Sequence, residues 1–155
     1  IEGDATLPSS YGFGVMLRRA GDFRIGFDFQ GSKWSEYENE ARPETEFKDT
    51  KRFALGASWI PDANSITSYF KRAEYRAGFY TKTDPRVIDG EQVKEFSFGV
   101  GGSFPLILQR NIAWFQLGFD FGNRSAGDKL SENFVRGKVG FIFNDNAWFI
   151  RGKYK

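Results

Sequence analysis

Between Phe134 and Lys155, polar and apolar residues alternate on either side of an Asp145-Asn146 pair. That pair tolerates φ > 0 and suits a two-residue hairpin turn. With the turn there, Phe143 faces Trp148, Phe141 faces Ile150, Val139 faces Gly152 and Gly137 faces Tyr154. On the other side Ile142 meets Phe149, Gly140 meets Arg151 and Lys138 meets Lys153. Side chains alternate across a strand with period two, so one register yields an oily face and a wet face together. Each strand holds about ten residues, the length of a tilted membrane-crossing strand. Trp148 and Tyr154 close the two ends of the oily side, where interfacial aromatics of a membrane barrel sit.

The same period recurs along the chain and gives eight expected strands. Tyr11, Phe13, Val15 and Leu17 share one face of the first, and Arg19-Ala20-Gly21 forms a turn. The second sets Phe23, Ile25, Phe27 and Phe29 against Arg24, Gly26, Asp28 and Gln30. Lys33 to Asp49 reads as a loop or frayed extension. Phe53, Leu55, Ala57 and Trp59 make the third strand, which stops at Pro61. The fourth alternates Tyr75, Ala77 and Phe79 with Arg76, Gly78 and Tyr80. Thr83 to Glu91 reads as a connection, with Pro85 and an Asp89-Gly90 turn signal. The fifth carries Phe96, Phe98, Val100 and Phe104 against Glu95 and Gly99, and Pro105 closes it. The sixth sets Phe115, Leu117, Phe119 and Phe121 opposite Asp120 and Gly118, and Asn123 to Asn133 reads as a polar loop before the terminal hairpin.

Composition narrows the chemistry. The 155 residues suit one domain. With neither Cys nor His, thiolate chemistry, zinc sites and Ser-His-Asp triads are excluded. Net charge is +2, which gives no nucleic-acid footprint. Mean hydropathy is −0.49 and no run has the length of a membrane-crossing helix. A β-barrel is the membrane architecture compatible with that, because only alternate residues touch lipid.

The apolar faces collect nineteen aromatic rings, fourteen of the 18 phenylalanines among them. The interior of an eight-stranded barrel is just wide enough for ordinary side chains, so these rings belong outside, on lipid. A two-sheet sandwich is the competing arrangement. The expected fold is therefore all-β, a transmembrane antiparallel up-and-down β-barrel with about eight strands in this chain. Tyr11, Trp59, Trp148 and Tyr154 are its expected membrane-interface aromatics. Arg24, Asp28, Arg76, Glu95, Asp120, Arg136, Lys138, Arg151 and Lys153 face its lumen.

Ser68-Tyr69-Phe70-Lys71-Arg72, Tyr75-Arg76-Ala77-Gly78-Phe79-Tyr80, Asp89-Gly90-Glu91-Gln92, Phe104-Pro105-Leu106, Gly118-Phe119-Asp120-Phe121-Gly122 and Trp148-Phe149-Ile150-Arg151-Gly152-Lys153-Tyr154 carry a resemblance. From about Leu7 onward the chain resembles the C-terminal part of FadL/TodX-like outer-membrane proteins. The resemblance implies a bacterial outer-membrane location and a larger barrel of about fourteen strands with an N-terminal plug. With eight strands and no plug read here, the chain is either the C-terminal part of such a barrel, the favoured expectation because open edge strands in lipid need completing, or a self-contained small barrel. The resemblance also implies passive transport of hydrophobic small molecules. The alternative is an accessory or scaffold barrel in a larger outer-membrane machine for secretion or barrel assembly. Expected partners are outer-membrane lipid, other outer-membrane or periplasmic subunits and a hydrophobic ligand; no nucleic acid and no cofactor are expected.

Lys138 opposite Lys153, with Arg136 and Arg151 nearby, forms a basic strip. It holds an anionic group, or it joins Asp28, Glu95 and Asp120 in an internal lattice of ion pairs. Asp84, Asp89 and Glu91 lack EF-hand spacing, and no metal is expected there. Gly99-Val100-Gly101-Gly102 is a bulge or close strand contact, since no helix follows it. No nucleophile-base pair emerges, so an enzyme is not expected. The tight turns at Ala20 and Asp145 are expected at one end and the long segments at the other with Lys155. Loop length would set that end outside, but the periplasmic C-terminus usual in such barrels assigns Lys155, with Lys33 to Asp49 and Asn123 to Asn133, to the periplasm.

Overall fold

The computed structural model describes residues 5–19, 22–39, 47–108 and 111–143. Its strands are β1 (Ala5–Thr6), β2 (Ser10–Arg19), β3 (Phe23–Ser32), β4 (Glu38–Asn39), β5 (Thr50–Trp59), β6 (Glu74–Ile88), β7 (Glu91–Leu108), β8 (Asn111–Ala126) and β9 (Leu130–Phe143). β1 and β4 pair separately, while the rest form one antiparallel sheet ordered β2-β3-β5-β6-β7-β8-β9. The sheet is an up-and-down meander of seven strands. Among the described residues β2 and β9 do not pair, so it is not closed. Seven of the eight expected strands are here; the Asp145-Asn146 turn and the strand beyond it lie outside the described residues.

Three expected stops are not stops. Thr83 to Glu91 continues β6 into β7 across a two-residue turn, with φ of 49° at Asp89 and 86° at Gly90. Both residues in the left-handed region is the geometry whose twist matches the flanking strands. Pro85 is carried in a register shift between Thr83 and Val87. Asn123 to Asn133 is likewise strand, turning at Gly127 with φ of 51°. β7 also runs through Pro105, paired with Trp114. Past Ser103 it has lost β6 as a neighbour, and a bare edge accommodates a residue without an N–H.

The sheet curls around its polar face. One depression of about 1020 Å³ is lined from both outermost strands, by Gly14 on β2 and Lys138 on β9, and from every strand between. Glycines make the bend possible. Gly26, Gly56, Gly78 and Gly99 stand in direct register across β3, β5, β6 and β7. A Cβ on Gly78 would lie 2.9 Å from the Leu55 carbonyl oxygen, and one on Gly101 would lie 2.8 Å from that of Leu117. Both obstacles are backbone. At Gly78 in that row, and beside it at Gly101, the neighbouring strand lies closer than a side chain permits.

There is almost no core. Among the described residues the buried apolar side chains are Ala73, Val93, Ala113 and Ala126. The phenylalanines are not packed between two sheets, and the sandwich alternative falls with that observation. No helix of the described residues is long and apolar enough to cross a membrane.

Candidate functional site

Two carboxylates organise the concave face. Glu74, at the start of β6, bonds Arg24 from β3 and Arg76 from its own strand, the latter at 2.8 Å. Arg24 also donates to Ser58 at 3.0 Å and Arg76 to Ser103 at 2.6 Å. Further down, Glu95 is 4% exposed. It accepts the Tyr80 hydroxyl at 2.6 Å and Arg124 at 2.7 Å, with Lys82 at 3.3 Å. A third group joins Asp120 to Lys138 at 2.6 Å and more loosely to Arg136 at 3.9 Å. Each carboxylate is thus shared by two cations or more, an arrangement that holds neighbouring strands in register.

The opposite face is a belt. Phe98, on β7 in the interior of the sheet, is 45% exposed, and Val139 on β9 is 68% exposed. The rings touch one another across strands, as with Phe29 and Phe53 at 4.7 Å and Phe115 and Phe141 at 5.1 Å. One register row reads Val15, Phe27, Leu55, Phe79, Phe98, Phe121, Val135 from β2 to β9.

The belt does not follow the rows. On β2 it runs from Tyr11 to Leu17 and gives way to Arg19. On β9 the positions in register with its lower part are Ser131 and Asn133, and apolar residues begin at Val135 and continue to Phe143. The belt's midpoint climbs by about five residues, or about 17 Å, across about 29 Å of sheet. That is a tilt of about 30° between strands and belt, close to the 35–45° at which strands tilt in closed barrels.

Beyond the lower margin of the belt, the β6–β7 and β8–β9 hairpins extend beside the segment that joins β3 to β5. The Lys48 N–H donates to the Pro85 carbonyl at 3.1 Å, and Gln92 donates to the Asp49 and Asp84 carbonyls at 2.8 and 3.0 Å. Asp84 accepts the Arg86 guanidinium at 2.7 and 2.8 Å. The Arg86 bond holds the Asp84 carboxyl below its ordinary value. Asp49 is lowered as well, chiefly by the Ser35 hydroxyl at 2.7 Å. Trp34, Tyr37 and Phe47 pack ring against ring beneath the sheet.

The structure sets Arg24, Asp28, Arg76, Glu95, Asp120, Arg136 and Lys138 on the concave side, as alternation requires. It divides them among the separate groups above rather than one strip, and Asp28 makes no ion pair with a described residue. Arg151 and Lys153 lie outside the described residues, as do Trp148 and Tyr154. Tyr11 and Trp59 lie on the belt face, at its lower margin on β2 and its upper margin on β5. Sequence reading missed Glu74, Lys82 and Arg124. Glu74 shares parity with Arg76 and was within reach of the period-two pattern; Lys82 adjoins, and Arg124 lies within, a segment read as a loop. Loop length gives no orientation either, because tight turns and long connections occur at both ends of the sheet.

A family match covers nearly the whole sequence: the chain belongs to the BamG family, matched over residues 2–155. This is a barrel-assembly-related accessory family of outer-membrane-associated bacterial proteins. The match overturns the resemblance to FadL/TodX-like transporters. The described motifs that carried that resemblance lie largely on alternating strands and at a tight turn, so they mark a type of strand rather than a transporter. No curated protein and no solved structure matches the chain.

Proposed function

We propose that this member of the BamG family is an accessory subunit of the machinery that assembles outer-membrane β-barrels, with its sheet in the bilayer and its aromatic face on lipid. The observation that carries this reading is the tilted belt. An exposed apolar surface of this extent is not stable in water and marks a surface that something else covers. Its overall climb against the strand register from β2 to β9 is what a flat lipid slab imposes on tilted strands; a protein partner imposes no such plane. The concave face supports a structural role rather than a conduit. Its carboxylates Glu74, Glu95 and Asp120 are each held by cations, and an apolar solute passing there would desolvate those pairs with nothing in exchange.

The test has two arms. Membranes from cells carrying a tagged chain are washed with alkaline carbonate and with urea, and the chain stays in the pellet. After mild detergent extraction, affinity purification recovers barrel-assembly components in fixed proportion. A chain released by carbonate is not embedded. A chain that stays embedded, purifies alone and whose deletion leaves barrel assembly unchanged is not an accessory subunit.

A further inference from the structure

The connection between β5 and β6, residues 60–73, presents apolar side chains to the outside on a rigid frame. Ile66 is 96% exposed and Phe70 is 65% exposed. The frame is hydrogen-bonded throughout. The Asp62 carboxylate accepts the Asn64 N–H at 3.1 Å, the Asp62 carbonyl accepts the Ser65 N–H at 3.2 Å, and the Ser65 hydroxyl accepts the Ser68 N–H at 3.3 Å. The Asp62 N–H closes the base on the Lys71 carbonyl at 2.9 Å, and the Ile60 N–H ties it to Asp22 at 2.8 Å. Ser65 is buried while its neighbour Ile66 stands clear. An isoleucine held in that way is displayed, not merely unburied.

Its place in the sheet says what meets it. Trp59 and Tyr75 are register partners at the upper margin of the belt. The Tyr75 hydroxyl, on the belt side, donates to the Phe70 carbonyl at 3.0 Å and so fixes this connection over the outer rim rather than over the trough. From Ala63 to Ala73 there is no acidic residue, while Lys71 and Arg72 are both basic. Arg72 lies over the Tyr69 ring at 5.6 Å. Apolar tips, aromatic rings and adjacent bases at the rim of a lipid-facing belt match the acyl–headgroup boundary of a bilayer, where bases meet anionic phosphates.

We infer that residues 66–72 are an interfacial lipid anchor, with Ile66 and Phe70 dipping into the bilayer boundary and Lys71 at its phosphates. The inference rests on the belt lying in lipid and adds a second, shallow point of attachment at one rim. Because the chain contains no cysteine, single-site labelling is direct. Ile66→Cys, Phe70→Cys, mid-belt Phe98→Cys and turn-tip Asp128→Cys are nitroxide-labelled in the full chain, in vesicles of phosphatidylethanolamine and phosphatidylglycerol. Collision with dissolved oxygen is compared with collision with a water-soluble nickel chelate. The Phe98 label reports the apolar interior and the Asp128 label reports water. The Ile66 and Phe70 labels give intermediate depth, and Lys71→Glu moves both toward the Asp128 value. Labels at Ile66 and Phe70 matching Asp128, with Phe98 still in lipid, overturn the anchor and leave the embedded sheet standing. A Phe98 label in water removes the premise instead.

Discussion

Introducing arginine along the belt face tests the membrane reading position by position. In a transmembrane sheet an outward arginine costs about 2–4 kcal/mol at the bilayer midplane and about 0–1 near the interfaces. The two margins of the belt define where the midplane falls on each strand. On β3 the belt runs from Phe23 to Phe29, so its centre lies between Ile25 and Phe27. On β9 it runs from Val135 to Phe143, centred at Val139. Following the pairing, Ile25 arrives at Gly137 and Phe27 at Val135, so the β3 centre falls level with Arg136 on β9, not with Val139. The maximum cost is therefore displaced by about three residues, or about 10 Å, between the two strands. Single arginines at Phe23, Ile25, Phe27 and Phe29, and at Val135, Val139 and Phe143, are compared by urea unfolding in vesicles. Ile25→Arg or Phe27→Arg, and Val139→Arg, each lose about 2–4 kcal/mol, while Phe29→Arg and Val135→Arg lose about 1 kcal/mol beyond the loss of the side chain itself. A flat profile would show that no slab covers this face. Maxima at the same register row on both strands would refute the tilt.

Three further outcomes follow from the concave face and the hairpins. Gly78→Val and Gly101→Val destabilise by about 1–3 kcal/mol, because the new Cβ meets backbone on the neighbouring strand; Gly56→Ala, whose nearest neighbour is the Ala77 carbonyl oxygen at 3.9 Å, costs about 1 kcal/mol or less, and denaturant midpoints compare them. Glu95→Gln leaves Lys82 and Arg124 facing a neutral amide and costs about 1–3 kcal/mol in the same assay. Because the Asp84 carboxyl is depressed in the folded chain, its contribution to the β6–β7 hairpin is complete above the ordinary value of 3.8 and is lost as pH falls through the lower folded value. Amide protection of Val87 and Gln92, corrected for intrinsic exchange, shows that acid loss in the parent, and Asp84→Asn removes it.

Alternation made the sheet legible where its two faces meet different surroundings. Phe23 to Gln30 and Phe53 to Trp59 each carry the oily and wet parities without interruption, and both are strands over that stretch. Where that contrast fades the period has little to report. Thr83 to Arg86 and Asn123 to Ser125 belong to strands, yet polar and turn residues such as Pro85 dominate the local reading. Cross-strand register is a different kind of information. Nothing local says that Gly26, Gly56, Gly78 and Gly99 will align, or that Glu74 on β6 will reach Arg24 two strands away on β3. The family was illegible for a related reason. A phenylalanine on every second residue with glycine between is what lipid and a crowded concave face require of any such strand, so it cannot separate one outer-membrane family from another.

The concave face gives the clearest physical ground for preferring a scaffold to a conduit. Moving an apolar solute along a trough requires a continuous apolar wall or mobile polar groups that step aside. Here the middle of the trough is bare backbone at the glycine row, and both flanks are carboxylates clamped by two cations or more. Opening a flank would leave Glu95, with almost no solvent contact, without compensation, and a buried polar group left without its partners costs about 1–3 kcal/mol, more when charged. Those same clamps lock β3 to β6 and β7 to β8, fixing the sheet's curvature. A subunit whose task is to present a fixed shape to its neighbours gains from that rigidity, whereas a gate would have to spend it at every opening.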